Sequence, residues 1–242
     1  MNLKAKIDEF TGLSPTWDDI VRLQGGRGAV WGKHKKEQLA NPTPDCNLGR
    51  WLLSKQTDEA LYQEPIYLYC MLFSSIGNSS EAYDNAGALC AGETVYDVGG
   101  TYFSALRMID QGVKRVFVCN KPGPQQAFVD WMKHEQIESA SIDSIKADST
   151  VTMIEFLEHF REPMSIFDLV CKQMPNKLIV KSSFCTAAYG HYNPVFIDGV
   201  ECHSKLKANK AFYKSVESRG WKHSRLTYRE FNKQALEIFT CS

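Results

Sequence analysis

From residue 93 onward, short apolar runs rich in β-branched residues alternate with segments of helical spacing. Thr94-Val-Tyr-Asp-Val98, Arg115-Val-Phe-Val-Cys119 and Lys177-Leu-Ile-Val-Lys181 have the length and density of strands buried on both faces. Runs at 139–143 and 150–155 predict two further strands, and those at 223–228 and 235–241 a closing pair. Between them the spacing predicts helices over 103–111, 124–136, 163–174 and 205–219, stopped by Gly112, Pro175-Asn176 and Gly220. Strands separated by helices of this length require right-handed crossovers, hence a parallel sheet covered by helices on both faces. The last two strands leave no room for a helix between them, so one edge pair is antiparallel. The expected fold class is α/β: a seven-stranded, doubly wound, mostly parallel sheet over residues 93–242.

Residues 1–92 have a different character, with helical segments and punctuated loops, and read as a helical N-terminal extension that caps the sheet. A helix is expected over 16–23, capped by Ser14-Pro15 or Thr16 and broken by Gly25-Gly-Arg-Gly28. A turn follows at 41–45, and a helix over 56–76 is kinked or restarted at Pro65. The stretch 20–36 carries Arg22, Arg27, Lys33, Lys35 and Lys36 without an acid. It reads first as a solvated arm. With Trp31 and His34 it also has the make-up of a segment that grips phosphates on a ligand or a nucleic acid.

Composition narrows the function classes. Of 242 residues, 43% are hydrophobic and 23% charged, enough apolar material for a full core. Twenty-eight basic residues balance 28 acidic ones, which argues against binding nucleic acid by bulk electrostatics. The longest strongly apolar stretch, 65–73, is about half of what crossing a bilayer requires, so no membrane span is expected. The first residues lack a hydrophobic signal region, and a cytoplasmic location is expected. The eight cysteines are widely spread with no Cys-x-x-Cys, which fits reduced core thiols. Cys202-His203 has no matching second pair, and no metal site is expected.

In a doubly wound sheet, ligands bind beyond the carboxyl ends of the strands, where the strand order reverses. The loop after the first strand reads Asp97-Val98-Gly99-Gly100-Thr101, and its glycines let a ligand approach the backbone. The acid disfavours a pyrophosphate against this turn and suits a ligand bearing an ammonium group. After the fourth strand comes Glu155-Phe-Leu-Glu158-His159, followed by Pro163. Together the two segments resemble class I S-adenosylmethionine-dependent methyltransferases, the group whose fourth strand ends in Glu-x-x-Glu-His. The resemblance covers roughly residues 80–242 and implies a Rossmann-like methyltransferase fold with S-adenosylmethionine as cofactor.

Carried over by position, the resemblance sets Asp97, Gly99 and Gly100 against the methionine part of the cofactor. Asn120 takes the ribose position, where an acid is usual, and Asp143 the adenine amino group. Glu155 and Phe156 line the pocket. The family's first loop usually continues with glycine, whereas Thr101, Tyr102 and Phe103 stand here, bulky enough to close the pocket or alter the cofactor's seat. Methyl transfer to O or N needs a proton acceptor. The candidates are His191, then His203, both in the long 182–203 loop beside Tyr189, Tyr192, Asp198 and Glu201, and then His159. Trp17, Trp31, Trp51, Tyr67 and Tyr69 are available for an aromatic wall in the cap. The implied activity is methylation of a small molecule or metabolite-like group. The competing readings are an inactive methyltransferase-like subunit that binds a partner protein, favoured by the altered loop and Asn120, and an RNA or cap methyltransferase.

Overall fold

The computed structural model describes residues 2–17, 20, 63–76, 80–185, 191–229 and 234–241. The basic stretch 22–36, Trp31, Trp51, Cys46, Tyr189, the turn at 41–45 and most of the expected 16–23 helix lie outside the described residues. Ahead of the sheet the described residues include α1 (Leu3–Thr11), α2 (Tyr67–Ile76) and α3 (Ser80–Leu89). Then come β1 (Thr94–Val98), α4 (Tyr102–Asp110), β2 (Arg115–Cys119), α5 (Pro124–Met132), β3 (Ile137–Ala140) and β4 (Thr150–Ile154). The chain continues through α6 (Pro163–Cys171), β5 (Lys177–Lys181), the short strands β6 (Val195–Ile197) and β7 (Val200–Cys202), and α7 (Lys205–Ser218). It closes with β8 (Trp221–Arg229) and β9 (Gln234–Cys241).

The main sheet has seven strands in the order β3-β2-β1-β4-β5-β9-β8. β1 pairs in parallel with both β2 and β4, and β9 runs antiparallel to β5 and β8. The expected α/β class and antiparallel edge pair are therefore observed. β1 and β4 stand at the centre and are almost wholly buried, as their Val, Ile and Met content requires.

Alternate strand residues feed two apolar layers. Val95, Val116 and Val118 join Phe103 and Phe128 on the face covered by α1 to α5. Tyr96, Val98, Val151 and Met153 join Phe167, Phe184 and Phe212 under α6, α7 and the small hairpin. Tyr67 and Tyr69 belong to the first layer, and the Tyr69 hydroxyl donates to Asp8 Oδ1 at 2.7 Å, tying α2 to α1. Their role is packing. Trp17, in contrast, is 43% exposed.

Three expectations shift. The third strand ends at Ala140, because Ser141 opens a 3-10 turn over Ile142–Ser144 that contains Asp143. The fourth ends at Ile154, and Glu155 turns out of it with φ +51°. The 182–203 loop holds the β6–β7 hairpin, whose Asp198-Gly199 turn has positive φ at both residues. The seven described cysteines are free thiols, and Cys70, Cys90, Cys119 and Cys202 are buried. No described helix is long and apolar enough to cross a membrane.

Candidate active site

The glycine turn is built from beneath. Asp97 is 1% exposed and accepts hydrogen bonds from Thr152 Oγ1 on β4 and from Ser104 Oγ on α4, each at 2.7 Å. Its carboxylate lies under Gly100, so it supports the turn from the interior. Ser104 does double duty, accepting from the Thr101 amide at 2.7 Å while Thr101 Oγ1 accepts from the Ser104 amide at 3.1 Å. This capping box starts α4 immediately after the turn. Tyr102 and Phe103 point into the core, each 2% exposed, and meet Phe128 edge-on and tilted. The bulk expected to close the pocket is thus spent on the helix layer.

Gly99 sits at φ +74°, and its amide donates to the Cys119 carbonyl at 2.9 Å, extending the β1–β2 ladder. A Cβ there would fall 1.9 Å from the Phe156 ring, which packs over the turn. Asn120, just past β2, gives its amide to the Gly100 carbonyl and, at 3.2 Å, to Gln125 Oε1. Gly99, Gly100, Asn120, Glu155 and Phe156 therefore gather at the carboxyl ends of β1, β2 and β4, where the strand order reverses. Asp143 is exposed on its 3-10 turn beyond β3.

Burial raises Asp97 to a pKa of about 6, against the lowering effect of its two hydroxyl donors. A carboxyl raised in the folded state stabilises the fold below its unfolded value of 3.8, and loses that contribution as pH climbs through its folded value. The stability advantage of wild type over Asp97→Asn is thus expected to fall by up to about 3 kcal/mol between about pH 4 and pH 6 and then level off. Urea unfolding at a series of pH values measures this slope.

A second cluster forms where the chain leaves β4. Glu155 pairs with Lys181 at the end of β5, and its amide donates to the Lys181 carbonyl at 2.7 Å. Glu158 is fully buried within the 3-10 turn Leu157–His159, with Oε1 accepting from the Ser183 amide at 3.2 Å. The Tyr192 amide donates to the Glu158 carbonyl at 3.1 Å, and the Phe196 amide to the Arg161 carbonyl at 2.7 Å. These two bonds staple the loop after β5 onto the turn after β4. They bring His191 Nε2 to 3.9 Å from Glu158 Oε1 and its ring to 4.9 Å from that of His159, edge to face.

Burial, reinforced by the Glu155 carboxylate, pushes Glu158 well above the usual carboxylate range. Burial alone would also raise Glu155, but its hydrogen bond with Glu158 and the Lys181 ammonium outweigh it and hold it low. Glu155 is then the ionised member of the pair and Glu158 the protonated one. Burial, then the neighbouring His159, lowers His191 to about 4, so its imidazole is neutral at neutral pH. Tyr83, buried on α3, reaches the same place by donating to the Ile154 carbonyl at 3.3 Å. Arg107 on α4 fixes that helix through Asp84, with Nε donating to Oδ1 at 2.9 Å.

The structure thus unites two of the three candidate histidines, His159 and His191. His203 stands apart, with a side chain 66% exposed and Glu201 3.6 Å away. Lys181 and Tyr83 carry no sequence signal of a site, and Glu158 stands out in sequence only within the Glu-x-x-Glu-His motif. The one available signal was the Glu-x-x-Glu spacing, which places two acids on consecutive turns where burial demands a counter-charge.

Neither a protein-family profile nor a curated protein sequence matches this chain. Solved structures do. The chain is similar to an O-methyltransferase family protein from Burkholderia thailandensis, with 14% identity and a TM-score of 0.55, over 98% of this chain and 76% of that one. The fold is that of Rossmann-like methyltransferases. The pyocyanin biosynthetic protein PhzM is similar over 94% of this chain and 74% of its own, with 9% identity and a TM-score of 0.53. At these identities the likeness concerns the fold, and activity must be argued from the site.

Proposed function

We propose that the chain is an S-adenosylmethionine-dependent methyltransferase acting on a small molecule or metabolite-like group. The observation that carries this reading is the convergence of the Gly99-Gly100 turn, Asn120 and Glu155-Phe156 at the reversal of strand order. The donor set fits the cofactor. The N-terminus of α4 opens at the turn and favours a carboxylate, Asn120, its amide hydrogens given to Gly100 and Gln125, offers its Oδ1 as an acceptor for a ribose diol, and the Phe156 ring offers an apolar face. Asp143 is assigned to the adenine amino group. When bound, the cofactor supplies a methyl group already activated on a sulfonium.

The protein's share is then positioning. Asp97, Ser104 and Thr152 hold the turn rigid, and Lys181 keeps Glu155 charged and in place. His159 and His191 bring imidazole lone pairs to the end of β4, beside the place assigned to the acceptor. A saturable heat signal on titrating the chain with S-adenosylhomocysteine is the expected result. Its absence at millimolar ligand would favour the second reading, a methyltransferase-like subunit without activity. That reading draws on Asn120 in place of an acid and on the Phe156 ring packed over Gly99.

A further inference from the structure

The cluster after β4 holds more than a cofactor cleft requires. Glu158, His159 and His191 each offer a ligand atom, and these atoms lie within 4.8 Å of one another. Glu158 is 0% exposed, and its Oε2 has no donor among the described residues. The ligands come from two segments far apart in sequence, joined by the backbone bond from Tyr192 to Glu158. His191, although in a loop, has a side chain only 10% exposed. Glu158 Oε1, 3.9 Å from His191 Nε2, and the two imidazoles thus present three metal-ligating groups in a site largely closed to bulk water, and a cation bound there would displace the carboxyl proton.

We propose that Glu158, His159 and His191 form a binding site for a first-row divalent transition-metal cation. Two imidazoles and one carboxylate suit Mn²⁺, Fe²⁺, Co²⁺ or Zn²⁺, whereas Mg²⁺ and Ca²⁺ prefer all-oxygen shells. Three protein ligands leave positions open for water or a substrate oxygen. Ligand bonds of about 2.1 Å hold neighbouring donors roughly 3.0–3.5 Å apart. From the present spacing of up to 4.8 Å, the three groups would close by up to about 1.5 Å on binding a cation. Lys181 and Glu155 flank the site and hold its far side in place. With methyl transfer as the activity, the cation would orient an oxygen-bearing acceptor beside the cofactor, and this refinement rests on the function proposed above.

The test is titration of the chelator-treated full chain with Co²⁺, read by visible absorption. Bands that saturate at one equivalent, are displaced by Zn²⁺ and persist in excess Mg²⁺ are the expected result. Glu158→Gln and His191→Ala should each weaken Co²⁺ binding by about a hundredfold or more. His159→Ala, at a partly exposed position, should do the same, and His134→Ala should not change it. Circular dichroism of the metal-free variants shows that each is folded; if Glu158→Gln fails this check, the two histidine variants decide the matter. Absence of bands at millimolar Co²⁺, or bands unchanged in the folded histidine variants, would overturn the site. Titrating S-adenosylhomocysteine in parallel separates the two proposals. A chain that binds Co²⁺ but not this ligand keeps the cation site and loses the methyltransferase reading, and the converse result does the reverse.

Discussion

Gly100→Ala is expected to lower stability by about 3 kcal/mol and to abolish ligand binding at the turn. The added Cβ would lie 1.9 Å from Asp97 Oδ2 and 2.8 Å from Asp97 Cβ. Asp97 has no room to retreat. Its two oxygens are bound from opposite sides, by Thr152 on the central strand β4 and by Ser104 in the first turn of α4. Displacing the carboxylate would strip both hydroxyls of a buried acceptor, and displacing the turn would break the Thr101–Ser104 capping box. The cause is steric, since Gly100 does not occupy the left-handed region, unlike Gly99. Urea unfolding of the variant reads the stability loss, and calorimetry under conditions where it remains folded reads the binding.

Lys181→Met has the largest effect expected of any single change, about 3–5 kcal/mol at neutral pH. Lys181 is the cation that faces the Glu155 carboxylate, with only 13% of its side chain exposed. Its loss leaves the half-buried Glu155 carboxylate, packed beside the buried Glu158, without a compensating charge. The pH dependence follows from the lowered pKa of Glu155. Such a group stabilises the fold above its unfolded value of 4.5, and this contribution disappears as pH falls through the folded value. The deficit of Lys181→Met should therefore shrink on acidification. Adding Glu155→Gln should restore part of the stability at neutral pH, and a double-mutant cycle measures the coupling. Equal destabilisation at all pH values would contradict the pairing.

The sheet was legible where Val and Ile crowd a short run. β1, β2 and β5 fall on the expected residues because strands buried on both faces carry little else. β3 was misplaced by two residues because serine is neutral toward strand formation, and Ser141 instead opens a 3-10 turn. The β6–β7 hairpin is hard to see in the sequence although Asp198-Gly199 between two short apolar runs is a strong turn signal, because three-residue strands are too brief to show alternation. At the site, Gly99, Gly100 and Glu155 could be found because a strand end and a helix start bracket them. Asp97 could be located but not oriented, since only the structure shows its carboxylate beneath the turn. Lys181 and Tyr83 could not be found. One looks like the solvated end of a strand and the other like helix filler, and their meeting with Glu155 and Ile154 depends on how distant segments pack.

The proposed cleft for S-adenosylmethionine lies at the carboxyl ends of β1, β2 and β4. Hydrogen–deuterium exchange of the full chain with and without S-adenosylhomocysteine tests it most directly. Slower exchange at the segments around 97–102, 119–121 and 154–159, and at the turn bearing Asp143, is the predicted result. Unchanged exchange at saturating ligand, or protection that avoids all of these segments, would contradict it.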